Sequence, residues 1–319
     1  MRVAVLMSTY QGEAFVADQI DSILKQLPPD GRLMVRDDGS VDRTVEIVRS
    51  YADARISVVC GTNIGFVRSF FSLMTAAPGD VEMFMLSDQD DVWLPHKIDR
   101  AWLHIGTSGS TPTLYCARQQ LVDSQLRPIG LSTTWRRRPS FENALAENIV
   151  TGCTAALNRA ALQLVLRTGD ASRIHFHDWW MYLVVAGFGT VVSDDVPVVL
   201  YRQHGDNVVG RGPGLRRYLV NLRFVLKRSW VHIMFSQIEN LRLVHGAALS
   251  TENRLLLDRR FNPASAGAIA SLVAIPHRYR QKALDDILWR LLLLGEVLIG
   301  RGLLPIDSRR SPARETNDG

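Results

Sequence analysis

Residues 83–93, Met-Phe-Met-Leu-Ser-Asp-Gln-Asp-Asp-Val-Trp, form an apolar run that ends in three acids, Asp88, Asp90 and Asp91. Carboxylates packed that closely repel one another, and a divalent cation relieves the repulsion. Asp88 and Asp90, one residue apart at a strand end, suit a hard, oxygen-seeking ion such as Mg²⁺ or Mn²⁺. Asp91 is either a further ligand or an acid that orients one. Taken alone, the run is equally a solvated acidic loop. A fourth acid, Asp178, lies in His177-Asp178-Trp179-Trp180. Bulky apolar neighbours desolvate a carboxylate and raise its pKa, which a hydroxyl partner or a metal offsets.

Other polar groups follow apolar runs in the same way. In Asp37-Asp38-Gly39-Ser40-Val41-Asp42-Arg43-Thr44, Gly39 permits a sharp turn and the acids can accept hydrogen bonds from a base or sugar. The same residues can instead cap the next helix. Arg202 and His204 follow Val196–Leu200. There a guanidinium can clamp a phosphate and an imidazole can complete a metal shell, or both are ordinary surface residues. Arg68 poses the same alternatives. Gly152, in Thr151-Gly152-Cys153-Thr154, allows close approach of a sugar or acceptor, or simply makes a turn. Arg136-Arg137-Arg138 is a solvated charge run or an attractor for a lipid diphosphate.

These residues need elements to carry them. Val3–Met7, Leu33–Val35, Ile56–Cys60, Met83–Leu86 and Leu114–Ala117 read as strands. Glu13–Leu27, the stretch from Ser40 or Asp42 to Tyr51, and Val67–Ala77 read as the helices between them. Short strands alternating with helices predict an α/β layer with a mostly parallel sheet, whose ligands bind beyond the carboxyl ends of the strands. Ser8-Thr9-Tyr10, the Asp37 turn, Thr62-Asn63-Ile64-Gly65 and Asp88-Gln89-Asp90 each follow a strand, so one sheet edge should gather them all. Beyond Arg211-Gly212-Pro213-Gly214 the pattern is helical over 215–245 and 279–300. The expected division is a catalytic domain over 1–210 and a helical extension over 211–319, frayed from about residue 308. In the second helical stretch Leu284, Ile287, Leu288, Leu291, Leu294 and Leu298 make an apolar stripe.

Composition narrows the classes. A chain of 319 residues, 46% hydrophobic and 22% charged, folds around a sizeable core. Cys60, Cys116 and Cys153 match neither a disulfide framework nor a zinc spacing, so they read as reduced thiols of a cytoplasmic protein. The apolar start is too short for a signal peptide, and charges interrupt Leu284–Leu304 too often for a membrane span. Residues 200–319 hold 19 Lys and Arg against 10 Asp and Glu, a balance of +9, while 1–199 hold 18 against 22. The basic end suits an anionic partner, and peripheral docking on the inner face of the plasma membrane is one reading. Packing of the stripe on the catalytic domain or in a homodimer is the other. Nucleic acid is not expected, since no recognised binding motif is present.

Together the motifs resemble family 2 glycosyltransferases of the GT-A fold. The likeness rests on Ser8-Thr9-Tyr10, Asp37-Asp38-Gly39-Ser40-x-Asp42-x-Thr44, Asn63-x-Gly65, Asp88-x-Asp90 with Trp93-x-Pro95, His177-Asp178-Trp179-Trp180, and Tyr201-Arg202-Gln203-His204-Gly205-Asp206-Asn207. The last two are similar to a bacterial subgroup described as rhamnosyltransferases of surface-polysaccharide assembly. The resemblance implies a nucleotide-sugar donor (dTDP- or UDP-linked) held by Ser8, Thr9, Tyr10, Asp38, Asn63, Arg68, Asp88 and Arg202. It implies a Mg²⁺ or Mn²⁺ ion on Asp90, Asp88 and His204, and Asp178 as the general base. It also implies a glycan or lipid-linked acceptor and inverting single displacement. Gly152 is a candidate to meet that acceptor, and of Trp179 and Trp180 at least one is ordinary core packing while the other is a candidate floor for the acceptor site. His177 stands where the family usually has an acid.

Two other classes share some of these residues. Asp88-x-Asp90-x-Val92 with Asp194-Asp195 matches the acidic pattern of a haloacid-dehalogenase-type phosphatase, but that leaves the Asp37 turn and the Asp178 motif unused. A non-catalytic nucleotide-sugar-binding module would tolerate loss of Asp178.

Overall fold

The computed structural model describes residues 1–169, 171–203, 230–274 and 276–298. Four parallel strands, β1 (Val3–Thr9), β2 (Arg32–Asp37), β3 (Ile56–Cys60) and β4 (Met83–Ser87), form one side of a nine-stranded sheet. Helices α1 (Val16–Leu24), α2 (Thr44–Ser50) and α3 (Phe66–Ala76) connect them. β5 (Val92–Trp93) and α4 (Lys97–Ile105) follow, then β6 (Thr113–Val122) and β7 (Pro128–Leu131). The fold continues through α5 (Phe141–Ala146), β8 (Ala156–Asn158), α6 (Arg159–Val165), α7 (His177–Phe188) and β9 (Thr190–Arg202).

The strand order is β3-β2-β1-β4-β8-β6-β9-β5, with β7 on β6. β8 runs antiparallel between β4 and β6, so the sheet is mixed rather than wholly parallel. Parallel register pairs Thr9 with Asp37, Asp37 with Cys60, and Met7 with Ser87. The carboxyl ends of the first four strands therefore share one edge, as their spacing predicted. β1 and β4 are covered on both faces, which is why they are uniformly apolar.

Four helices follow β9 among the described residues: α8 (Trp230–His245), α9 (Thr251–Arg260), α10 (Ala266–Ala274) and α11 (Ala283–Leu298). Phe235, Leu241, Leu257, Leu272 and Trp289 from them join the hydrophobic cluster that holds Leu6 and Phe84 of the sheet. The core thus runs without a break from sheet to helices. The expected boundary at 211–214 and the tail from 308 lie outside the described residues. None of the described helices is long and apolar enough to cross a membrane.

The α11 stripe faces outward. Leu284, Leu291 and Leu298 are 64%, 58% and 76% exposed, while Asp286, Trp289 and Leu293 are buried. Asp286 is the reason. Its carboxylate accepts from the backbone N–H of Tyr279 (2.8 Å) and Arg280 (3.0 Å) and from Arg290 Nε (2.9 Å), which turns the acid inward. The expectation that this stripe packs on the catalytic part is not met by the described residues.

Candidate active site

A cleft of about 400 Å³ opens at the shared sheet edge. Ser8, Thr9, Tyr10, Asp38 and Asn63 line one side. Asp88 and Asp90 line its centre, and Gly152, His177 and Asp178 line the far wall. The acids at the tip of β4 and the acid at the start of α7 thus face one space.

The near side is held by its own carboxylates. Asp37 accepts from Thr9 Oγ1 (3.0 Å), Ser40 Oγ (2.6 Å) and the N–H groups of Gly39 (3.1 Å) and Ser40 (2.8 Å). Gly39 has φ +89°, the left-handed region a glycine enters without a steric penalty. Asp38 pairs with Arg36 and accepts from Ile64 N (3.0 Å) and Gly65 N (2.8 Å), fixing the Asn63–Gly65 loop against the turn. Asp42, one residue ahead of the N-cap Arg43, accepts from Thr44 N (3.0 Å) and Thr44 Oγ1 (2.5 Å) at the start of α2. Gln89, between the two cleft acids, accepts from Tyr10 N (2.7 Å) and donates to Tyr10 O (2.8 Å). That reciprocal pair ties the β4 tip to the β1 loop. No spacing argument had singled it out.

The far wall rests on Asp178, which accepts from its neighbour's backbone at Trp179 N (2.7 Å), from Gly152 N (3.3 Å) and from the Asn148 side chain. Burial nevertheless dominates and pushes its carboxyl up to about 6. His177 stacks on Phe70 with ring centroids 4.3 Å apart and meets the edge of Phe66 at 5.8 Å. Among the described residues neither of its ring nitrogens has a hydrogen-bond partner, and burial holds the imidazole neutral, down at about 3. A Cβ at Gly152 would lie 2.7 Å from His177 Nε2. Gly152 therefore makes room for the imidazole and offers its N–H to the Asp178 carboxylate.

Asp88 is raised by burial first, then by the charges of Asp90 and Asp178. Crowded acids of this kind at a cleft surface are the donor set a hard divalent cation stabilises, so Asp88 and Asp90 fit one. The group beneath them does not. Asp88, Asp91 and Cys153 each bring a ligand atom within 4.8 Å of the others. Burial keeps Cys153 a protonated thiol, and the wholly buried amine of Lys97, pushed down to about 7 by that burial, already occupies the neighbourhood. Lys97 Nζ donates to Cys153 O (2.5 Å) and lies 3.6 Å from the centre of the Trp93 ring. Asp91 is wholly buried and accepts from Arg202 N (3.2 Å), which makes it an internal support rather than a cleft acid.

The match to known proteins decides the family. The family model described as Glycosyl transferase family 2 matches residues 4–166. The chain belongs to glycosyl transferase family 2. It is 26% identical over 255 residues to the dTDP-rhamnosyl transferase RfbG of Shigella flexneri, covering 73% of this chain and 83% of that protein. It is 30% identical over 98 residues to the UDP-Glc:alpha-D-GlcNAc-diphosphoundecaprenol beta-1,3-glucosyltransferase WfgD of Escherichia coli, which covers 30% of this chain and 38% of that protein. Among solved structures, S. aureus TarS 1-349 in complex with UDP-GlcNAc superposes with a TM-score of 0.52 at 17% identity. That alignment covers 94% of this chain and 92% of TarS 1-349, and it shows the GT-A fold.

Within this family 2 glycosyltransferase, several expected site residues lie elsewhere. Trp179 and Trp180 are 1% and 0% exposed, their indole N–H groups donating to Ala144 O (2.8 Å) and Val165 O (3.0 Å). Both are core residues, so neither floors an acceptor site. Arg202 is buried, donates to Ser124 O (2.7 Å) and Asp18 Oδ2 (2.5 Å), and does not line the cleft. Arg68 is exposed on α3 and also lies off the cleft lining. His204 lies outside the described residues. The phosphatase pattern fails as well. Asp194 is paired with Arg100 (2.7 Å) and bonded by Tyr115 OH (2.8 Å), away from the cleft acids.

Proposed function

We propose that this glycosyltransferase moves a sugar from a nucleotide diphosphate donor to a hydroxyl of a glycan or lipid-linked acceptor by inverting single displacement. The observation that supports this most is the placement of Asp88, Asp90 and Asp178 around one cleft. Asp178 accepts the acceptor hydroxyl's proton as that oxygen attacks the anomeric carbon. A carboxyl raised to about 6 is still ionised at neutral pH, yet basic enough to serve. Asp88 and Asp90 would hold Mg²⁺ or Mn²⁺, which when bound neutralises charge on the departing nucleoside diphosphate. Tyr10 and Asn63 line the cleft with exposed side chains available to base and ribose, while Thr9 and Asp38 shape the loops that present them. The likeness to a dTDP-rhamnosyl transferase supports rhamnose as the sugar and dTDP as the nucleotide. The exposed α11 leucines and the +9 balance of residues 200–319 support peripheral association with an anionic membrane surface.

A thermal-shift screen of dTDP- and UDP-sugars with Mn²⁺ or Mg²⁺ tests the donor reading, because a ligand that binds only the folded state raises its melting temperature. A metal-dependent shift with dTDP-rhamnose exceeding the others is expected. Equal indifference to every nucleotide sugar would reject it.

A further inference from the structure

A second cavity, about 200 Å³ and of the scale of one pyranose, adjoins the first and has no role in the donor scheme above. Thr151 lines both cavities. Asn148 lines the second and hydrogen-bonds the carboxylate of Asp178, so the cavity begins directly behind the base. Its other walls come from distant parts of the chain: the strand-end segment with Ser132 and Trp135, and Gln281, Lys282 and Asp285 at the start of α11.

These walls are fixed in place. Gln281 is buried, and its Oε1 accepts from Arg136 N (2.8 Å) and Arg137 N (2.9 Å) while its Nε2 donates to Arg137 O (3.1 Å). Its own N–H donates to Glu147 Oε2 (2.7 Å). One residue, through its side chain and its backbone N–H, thereby staples the 136–137 segment and the Glu147 loop to the C-terminal helices. The chemistry of the lining is that of carbohydrate recognition: a half-buried indole beside hydroxyls, amides, an amine and carboxylates. It is not that of a phosphate site. The lining carries one cation, Lys282, against two carboxylates, Glu147 and Asp285, so it has no surplus of positive charge to hold an anion.

We infer that this cavity is the acceptor subsite, taking an uncharged sugar residue against Trp135, and that the helices after residue 229 complete it. The inference rests on the glycosyl-transfer reading of the first cleft. It replaces the buried Trp179 and Trp180 with Trp135 as the aromatic surface an acceptor meets. The hydroxyl to be glycosylated would reach past Thr151 toward Asp178, with Asn148 as the positioning residue between sugar and base.

The test uses the full chain, saturated with Mn²⁺ and either UDP or dTDP, and a panel of methyl glycosides as probes. Saturation-transfer NMR reads glycoside binding, and calorimetry reads nucleotide binding. Trp135→Ala and Asp285→Asn are each expected to weaken glycoside binding about tenfold or more with nucleotide affinity unchanged. Asp285→Asn keeps the side-chain volume, so it tests the site even where loss of the indole disturbs folding. Glycoside binding that survives both substitutions, or that never occurs on the nucleotide-bound wild type, would overturn the subsite. Failure of the wild type to bind any nucleotide would instead reject the donor reading, which calorimetry reports separately.

Discussion

Asp178→Asn should harm catalysis and help the ligand-free fold, with a sign that depends on pH. Burial raises this carboxyl from 3.8 to about 6. A group whose pKa rises on folding binds its proton more tightly in the folded state. Its favourable contribution is complete below about pH 4 and is lost as the pH climbs through about 6. The difference corresponds to a cost on the order of 3 kcal/mol for keeping Asp178 ionised at about pH 8. Asparagine has the same shape and no charge. Its amide oxygen can keep the bond from Trp179 N (2.7 Å), while the weaker one from Gly152 N (3.3 Å) is lost at about 1 kcal/mol. The variant should therefore be more stable than wild type by about 2 kcal/mol at about pH 8, and less stable by about 1 kcal/mol at about pH 4. Urea unfolding at both pH values, without nucleotide or metal, measures this directly. Transfer should meanwhile fall by about a hundredfold or more. A stability difference that is the same at both pH values would refute the buried-base argument, whatever happens to the rate.

Three further outcomes follow from the same geometry. With donor saturating, the transfer rate should drop about tenfold per pH unit below about pH 6, as Asp178 takes up its proton; a rate flat down to about pH 5 would mean that another group is the base. Gly152→Ala should cut transfer sharply with little change in nucleotide affinity, because the new Cβ meets His177 Nε2 at 2.7 Å and displaces the wall that carries the base; unchanged kinetics would show that the wall yields freely. Arg202→Ala should destabilise the fold by about 1–3 kcal/mol through lost bonds to Ser124 and Asp18 while leaving donor KM alone, and a raised donor KM at unchanged stability would restore the phosphate-clamp role.

How much of this was legible in the sequence varied with the physics of each element. The first four strands and their helices announced themselves because each has one period and a local connection. Their parallel register then carried Thr9, Asp38, Asn63, Asp88 and Asp90 to one edge without further information. α7 gave no such signal. It is buried almost all round, so adjacent Trp179 and Trp180 look alike in sequence and no face marks either as core. Arg202 could not be placed because its partners, Asp18 and Ser124, lie far away in the chain. The direction of the α11 stripe was open in the sequence for a related reason. Apolar periodicity says which residues share a face, but Asp286, needed for the N–H groups of Tyr279 and Arg280, decided which face turned inward. The buried Lys97 beneath the acids carried no sequence signal at all, since a lysine at a helix start is normally solvated.

The central claim is that two groups of acids divide the labour across one cleft, and calorimetric titration of UDP and dTDP with Mn²⁺, paired with a transfer assay, tests it most directly. Asp90→Asn should abolish metal-dependent nucleotide binding, whereas Asp178→Asn should bind nucleotide as wild type does and transfer about a hundredfold or more slowly. Nucleotide binding by Asp90→Asn that equals wild type, or transfer by Asp178→Asn at the wild-type rate, would contradict the account.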